Sequence, residues 1–339
     1  MAHRAYELVI EWDANGLQSH AGRSYNDLYS LLEFLNTNRF RQYVPCLGSQ
    51  HSDFLTRLST WLDNVQSSDD KRTLMEVVPE LLFFGREEFT KLHQAALSGP
   101  VTRWIIDLLD LRFDDPNLQA TLHKETHFHT WYCPVSDSMP IGDFYHVNNL
   151  GGIDHRPDFR SLHKFGDIGR VRDYMTHHEN ARGEPSPLNR IVLLEDFVGG
   201  GTQLEAVEFA SGLSPDLPVL FVPMIICPRG VEKTRALMGR YGNLRYCPLI
   251  ELSSDLFVNR NECLGNTALG QAIRQLAETT YTHVVGDNSS KPLPYTLFGF
   301  RETGALVVMY SNTPANTLAL VHHESNTWRA LFPRSARIR

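Results

Sequence analysis

Two neighbouring carboxylates, Glu195 and Asp196, stand just before three consecutive glycines, Gly199, Gly200 and Gly201, and a threonine, Thr202. Glycine lets backbone N–H groups approach an anion closely, and the N-terminus of a following helix favours negative charge. Thr202 adds a hydroxyl donor. The carboxylates cannot bind phosphate themselves; they suit ribose hydroxyls or a hydrated Mg²⁺. An anion cradle beside a diol-binding acidic pair is the chemistry of a sugar phosphate. The flanks fit this use. Ile191 to Leu194 is an apolar, β-branched run of the kind that forms a buried strand. Leu204, Ala206, Val207, Phe209 and Ala210 follow a helical period. The expected unit is therefore strand, loop over 195–203, helix. There is no Gly-Lys-Ser/Thr, and the glycine spacing does not match a dinucleotide fingerprint. A plain glycine turn after a core strand is the bland alternative, and the acid pair in register weighs against it.

Other candidate groups carry less. Ser136, Asp137 and Ser138 form a polar turn whose amides and hydroxyls suit a diphosphate, or which is an ordinary Ser/Asp turn. Arg229 follows the apolar run 218–227 and either neutralises a phosphate or faces solvent, with solvent slightly favoured. His127, His129 and Cys133 would share one face of a strand, with His123 nearby. No second Cys/His pair follows at zinc spacing, so they read as strand side chains and no protein metal site is assigned. The adjacent pairs His177-His178 and His322-His323 point their side chains apart. No nucleophile elbow or Ser-His-Asp spacing is visible.

The whole chain sets bounds. Its 339 residues suffice for one large domain or two. A net charge of −7 gives no basic footprint for nucleic acid or a membrane surface. Five scattered cysteines without a close pair fit reduced thiols and a cytoplasmic location. The expectation is also that no signal peptide or membrane span is present.

Near the start of the chain, residues 6–12 read as a short strand. Ser24 with Asp27 resembles a capping box before a helix carrying Leu28, Leu31, Leu32 and Leu35. Further helices are expected over 54–65, from Asp69 to Leu82 with Pro79 as a kink, over 89–96, and over 101–109 after a break at Gly99-Pro100. Residues 1–120 thus form a mostly helical lobe, expected to pack separately from 121–339. Beyond it, 127–133 and 144–147 read as strands, and 150–189 as a long loop with a helical turn at 170–174. Strands at 218–227, 244–252 and 304–310 alternate with helices at 231–241 and 268–281. Alternation argues for an α/β fold with a mainly parallel sheet, in which 191–194, 218–227 and 304–310 lie together. The glycine loop would lie at a strand's carboxyl end, where such sheets bind ligands. In the tail, Asn316 or Thr317 is expected to cap a short helix, and Trp328, Leu331 and Phe332 to dock the chain end.

The 191–204 stretch resembles the ribose-phosphate signature of type I phosphoribosyltransferases, departing from it at Glu195 and at Gly199-Gly200, where threonines are usual. A closer resemblance covers residues 125–339. CPVSDSM with FYHVNNL, LLEDFVGGGTQL, ALVVMYSNTPANTLAL and the terminal W-x-x-LFPR together resemble the PRTase-CE family of prokaryotic conflict systems. Ala319 and His322-His323 depart from its tail. The resemblance implies a type I phosphoribosyltransferase-like fold and an effector role in antiphage defence, with a defence-operon protein as partner. The turn 136–138 corresponds in it to the pyrophosphate loop. The resulting assignment places Glu195 and Asp196 at the ribose as catalytic residues. Val198, Gly199, Gly200, Gly201, Thr202, Gln203, Ser136, Asp137, Ser138 and Arg229 hold phosphoribosyl pyrophosphate or a nucleotide, with Mg²⁺ on the diphosphate. The alternative is a non-catalytic sensor of a nucleotide or sugar phosphate that signals through the helical lobe.

Overall fold

A computed structural model describes residues 4–45, 53–151, 167–180, 182–286 and 297–335. Cys46, and residues 152–166 and 181 of the expected 150–189 loop, fall outside them. In chain order the helices and strands begin with α1 (Arg4–Ala14), α2 (Tyr25–Asn38), α3 (Phe54–Leu62) and α4 (Ser68–Val77). Next come β1 (Leu82–Phe84), α5 (Arg86–Ala96), α6 (Thr102–Leu108), α7 (Leu118–Phe128), β2 (Thr130–Pro134) and α8 (Ile141–Val147). Then follow α9 (Ile168–Thr176), β3 (Arg190–Val198), α10 (Leu204–Ser211), β4 (Val219–Ile226) and α11 (Pro228–Arg240). The last are β5 (Leu244–Tyr246), β6 (Ile250–Glu251), α12 (Ala268–Val285), β7 (Val307–Met309) and α13 (Ala319–His322). The architecture is mixed α/β with parallel sheets, helices and a largely helical N-terminal region, consistent with a type I phosphoribosyltransferase-like fold.

Packing divides the chain into residues 1–86 with 254–339, and residues 87–253. This differs from the expected division at 120. The first unit joins the N-terminal helices to the C-terminal segment through one apolar core. Phe332 sits in a ring of aromatics: Phe40, Tyr43, Phe54 and Phe83 lie 5.2–6.1 Å away, centroid to centroid. The Trp61 indole N–H donates to the Leu320 carbonyl at 2.8 Å, and the Trp328 indole to the same carbonyl at 3.0 Å. The Tyr43 hydroxyl meets Thr313 Oγ1 at 2.7 Å and donates to the Pro333 carbonyl at 2.9 Å. The expected separate helical lobe is therefore corrected. Its first four helices have apolar faces that only the C-terminal segment completes, so they share a core with it.

The second unit holds the five-stranded parallel sheet, in the order β2-β3-β4-β5, with β6 also on β4. β5 and β6 are one strand-like stretch, as expected over 244–252, interrupted around Pro248, which has no N–H for a ladder. Trp131, Cys133, Ile191, Leu193, Val219 and Phe221 on one face join Val207 and Ala210 of α10 and Leu237 of α11 in its core.

Several expectations are overturned. Residues 6–12 are helical, because Ala5, Val9 and Trp12 are the buried positions and their spacing is that of a helix face. Gly99-Pro100 does not end the helix; the chain passes through a wide π turn, Leu97–Val101, in which the missing proline N–H is absorbed. His127 and Phe128 end a helix, with the rings of His123 and His127 stacked at 3.9 Å one turn apart; only from Thr130 does the chain become a strand. Residues 144–147 belong to α8, a run too short for periodicity to separate strand from helix. β7 does not join β3 and β4. It pairs in parallel with β1, which lies where the helix over 69–82 was expected to end in the mostly helical region, in a separate two-stranded sheet. Asn316 and Thr317 do not cap α13. Asn316 instead donates to the Phe300 carbonyl at 3.0 Å, and Thr317 to the Val307 carbonyl at 2.6 Å. Other readings hold. Ser24 accepts from the Asp27 amide at 3.0 Å, residues 170–174 lie within α9, and Trp328, Leu331 and Phe332 are fully buried.

The aromatic ring around Phe332 makes a quantitative demand. Phe332→Ala is expected to lower stability by about 3–5 kcal/mol, the usual cost of emptying an aromatic core site. Denaturant unfolding followed by tryptophan fluorescence measures it.

Candidate functional site

The acid pair does not sit in the loop. β3 runs through Glu195, Asp196 and Phe197 to Val198, so the expected 195–203 loop shortens to 199–203. Its extension is paired: Glu195 lies opposite Pro223, and Val198 opposite Ile226 on β4. Because successive strand residues point to opposite faces, Glu195 and Asp196 diverge.

Glu195 is fully buried and turns to the 136–138 turn. Its Oε2 accepts the Ser136 backbone N–H at 2.9 Å, and its Oε1 accepts the Ser136 hydroxyl at 2.6 Å. The Ser138 hydroxyl lies 2.6 Å from that of Ser136 and 3.5 Å from Glu195 Oε1. Burial, then the neighbouring Asp196 charge, push the Glu195 carboxyl well above the usual range, and the Ser136 hydrogen bonds oppose this only in part. Asp196 is 2 % exposed, and its Oδ1 accepts the Phe197 N–H at 2.7 Å.

Three connections leave the carboxyl ends of adjacent strands. Ser136, Asp137 and Ser138 follow β2, Gly199–Gln203 follow β3, and Arg229 opens α11 just after β4. Extending the β2–β3 register, in which Pro134 faces Leu194, sets Ser136 level with Asp196. Gly199 lies three strand residues further on, roughly 10 Å. Asp137 and Arg229 are exposed and Ser136 and Ser138 half-buried; within the glycine loop the three glycines are buried, Gln203 is half-buried and Thr202 is exposed.

The loop's shape has local causes. Gly201 has φ +72°, in the left-handed region that favours glycine. A Cβ there would lie 2.8 Å from Lys233 Cδ and 3.1 Å from Leu204 Cδ1. Gln203 Nε2 reaches the Phe197 carbonyl at 3.4 Å. α11 comes close because Gly230 has no side chain: a Cβ there would meet Val198 and Ile226 side-chain carbons at 2.9 Å. One turn later, Lys233 Nζ donates to the Gly200 carbonyl at 2.7 Å. Lys233 is the site residue that sequence reasoning missed. Its only signal was a cation in the first turns of a helix following an adjacent strand.

Chemically, the arrangement offers a glycine turn at a helix start with an ammonium beside it, a Ser/Asp turn one strand over, and a carboxylate between them. Among the described residues no group of three or more His, Cys, Asp or Glu side chains could hold a metal ion. His129 is bonded to the Pro187 carbonyl at 2.9 Å, and Cys133 is buried in β2. A Mg²⁺ would fit only as a ligand-borne ion, held mainly by phosphate oxygens with one or two carboxylates, a mode open to Asp137 beside the Ser turn. No described helix is long and apolar enough to cross a membrane.

A family model, PRTase-CE, matches residues 58–334. The chain belongs to that family and is a phosphoribosyltransferase-like protein. No curated protein and no solved structure matches it.

Glu195 gives the site a pH signature. A carboxyl whose folded-state value is raised contributes stability present below its unfolded value and lost as pH rises toward the folded one. Glu195→Gln removes that loss. The variant is expected to gain thermal stability over the wild type as pH climbs above about 4.5, with the difference smallest in acid. Paired melting curves from pH 4 to pH 9 read this directly.

Proposed function

We propose that this PRTase-CE protein binds a 5-phosphoribosyl compound, phosphoribosyl pyrophosphate or a nucleotide 5′-phosphate, and acts at C1 of its ribose. The observation that carries this reading is the placement of two anion-suited turns at the ends of neighbouring parallel strands, with Asp196 between them. The 5-phosphate would rest on the amides of Gly199, Gly200, Gly201 and Thr202, with Lys233 alongside. The Ser136–Ser138 turn would receive the diphosphate. Asp196 would accept ribose hydroxyl hydrogen bonds, and Arg229, which follows β4 beside the glycine loop, would add positive charge on the 5-phosphate side.

In the transfer, the C1–O bond to diphosphate breaks and the leaving oxygen keeps the electron pair. An acceptor atom then bonds to C1 and loses its proton. The oxocarbenium-like state between them needs positioning and charge complementarity rather than a covalent nucleophile. Mg²⁺, where it accompanies the diphosphate, supplies charge neutralisation of the leaving group. Glu195, committed to Ser136, would act as the positioning residue that holds the diphosphate turn rather than as a second ribose contact. The acceptor is a base, a macromolecule or water. In its wider setting the chain would serve as a cytoplasmic effector of a bacterial defence system, acting with a protein encoded beside it. The support for that setting is its family.

One observation favours the sensor reading: one of the two carboxylates expected at the ribose is tied up in the fold. A sensor would bind the same ligand and release no pyrophosphate.

Two variants test the site. Asp196→Asn is expected to weaken phosphoribosyl pyrophosphate binding by about tenfold or more, for a lost charge-assisted acceptor worth ~1.5–3 kcal/mol. Gly201→Val should weaken it further, because the left-handed φ and the Lys233 contact both oppose a side chain. Calorimetry with Mg²⁺ measures binding, and a pyrophosphate-release assay separates enzyme from sensor. Wild-type protein that binds neither ligand class, or variants that bind as tightly as wild type, would remove the sugar-phosphate site.

A further inference from the structure

The glycine loop is covered. Gly199, Gly200 and Gly201 are buried although none has a side chain to shield its backbone, whereas Thr202 beside them is exposed. At Gly201 the cover comes mainly from another element. The place a Cβ would take there lies 2.8 Å from Lys233 Cδ and 3.6 Å from Lys233 Cβ on α11, with Leu204 Cδ1 at 3.1 Å. A phosphate that is to use the loop amides must displace part of this cover.

The cover is fastened at one point. Lys233 is exposed, and its Nζ donates to the Gly200 carbonyl at 2.7 Å, its one hydrogen bond among the described residues. An ammonium carries three donors on a flexible four-carbon stem. A carbonyl is a neutral acceptor, whereas a phosphate oxygen is charged and makes a shorter, stronger bond to the same donor. An arriving phosphate can therefore take the ammonium from Gly200, and the stem leaves Gly201 with it. The neutral hydroxymethyl end of an unphosphorylated ribose has no such advantage over the carbonyl.

We propose that Lys233 is the residue that makes the loop specific for a phosphomonoester: it latches the loop through the Gly200 carbonyl and frees it by passing its ammonium to the 5-phosphate. The inference rests on the sugar-phosphate reading of the loop and adds to it the means by which the phosphate end is selected.

Two measurements on the full chain test the two halves of this. The first is hydrogen–deuterium exchange with no ligand added. Lys233→Ala, and Lys233→Met, which keeps most of the stem, should each speed exchange of the 199–203 amides by about tenfold, because unlatching raises the open population. The second is calorimetry with ribose 5-phosphate, which carries the phosphate end alone. Both variants should weaken it by about tenfold, for a lost charge-assisted partner. Arg235→Ala, which removes an exposed cation two residues along α11, should change neither readout and so controls for general charge attraction. Lys233 is exposed, so the variants should fold, and circular dichroism checks this. Exchange that stays at the wild-type rate shows that Lys233 latches nothing. Faster exchange with unchanged ribose 5-phosphate binding shows a structural cap that never meets the phosphate. Either result overturns the proposal, as does a wild type that binds phosphoribosyl pyrophosphate but not ribose 5-phosphate; all three leave the wider reading standing. A wild type that binds neither compound removes that reading, and this proposal with it.

Discussion

A fully buried carboxylate must find donors, and Glu195 finds its two closest on Ser136. That constraint organises the carboxyl edge of the main sheet. It fixes the turn after β2 against the strand that leads into the glycine loop, so the two ligand-suited turns hold one spacing. Like charge from Asp196 on the next residue makes the arrangement sensitive to protonation, since two adjacent buried acids resist sharing two full charges. A residue that looks like half of a ribose-binding pair is thus the brace of the site.

The glycine loop depends on a second constraint of the same kind. α11 lies tight against β3 and β4 because Gly230 leaves no Cβ to hold it off. The close approach lets Lys233 cap the Gly200 carbonyl while its stem covers Gly201. Tying up the Gly200 carbonyl and setting an ammonium beside the loop both favour an anion there.

In the first unit, the NTPAN and LFPR motifs serve the fold. LFPR places Leu331 and Phe332 in the core, and the Arg57 Nε donates to the Leu331 carbonyl at 2.9 Å. Asn312, Thr313, Asn316 and Thr317 spend their side chains on backbone groups of neighbouring turns, as at Asn312, which donates to the Ser335 carbonyl at 3.1 Å. Polar motifs of this kind are legible in a sequence as signatures, and their side-chain chemistry is turn closure in a segment with little regular structure.

Local sequence by itself determined the strand, glycine turn and helix around 191–211, the Ser24 cap and the buried β4. Each follows from short-range steric or hydrophobic periodicity that no distant partner needs to supply. Family motifs added the phosphoribosyltransferase-like identity. What only the tertiary structure decided are the long-range choices: that Leu82–Phe84 becomes a strand because Val307–Met309 is there to pair with it, that the first helices share a core with the chain's end, that Glu195 turns to Ser136, and that Lys233 reaches Gly200. Strand partners, faces and side-chain targets are set by residues tens to hundreds of positions away, and a local pattern carries no information about which of them arrives.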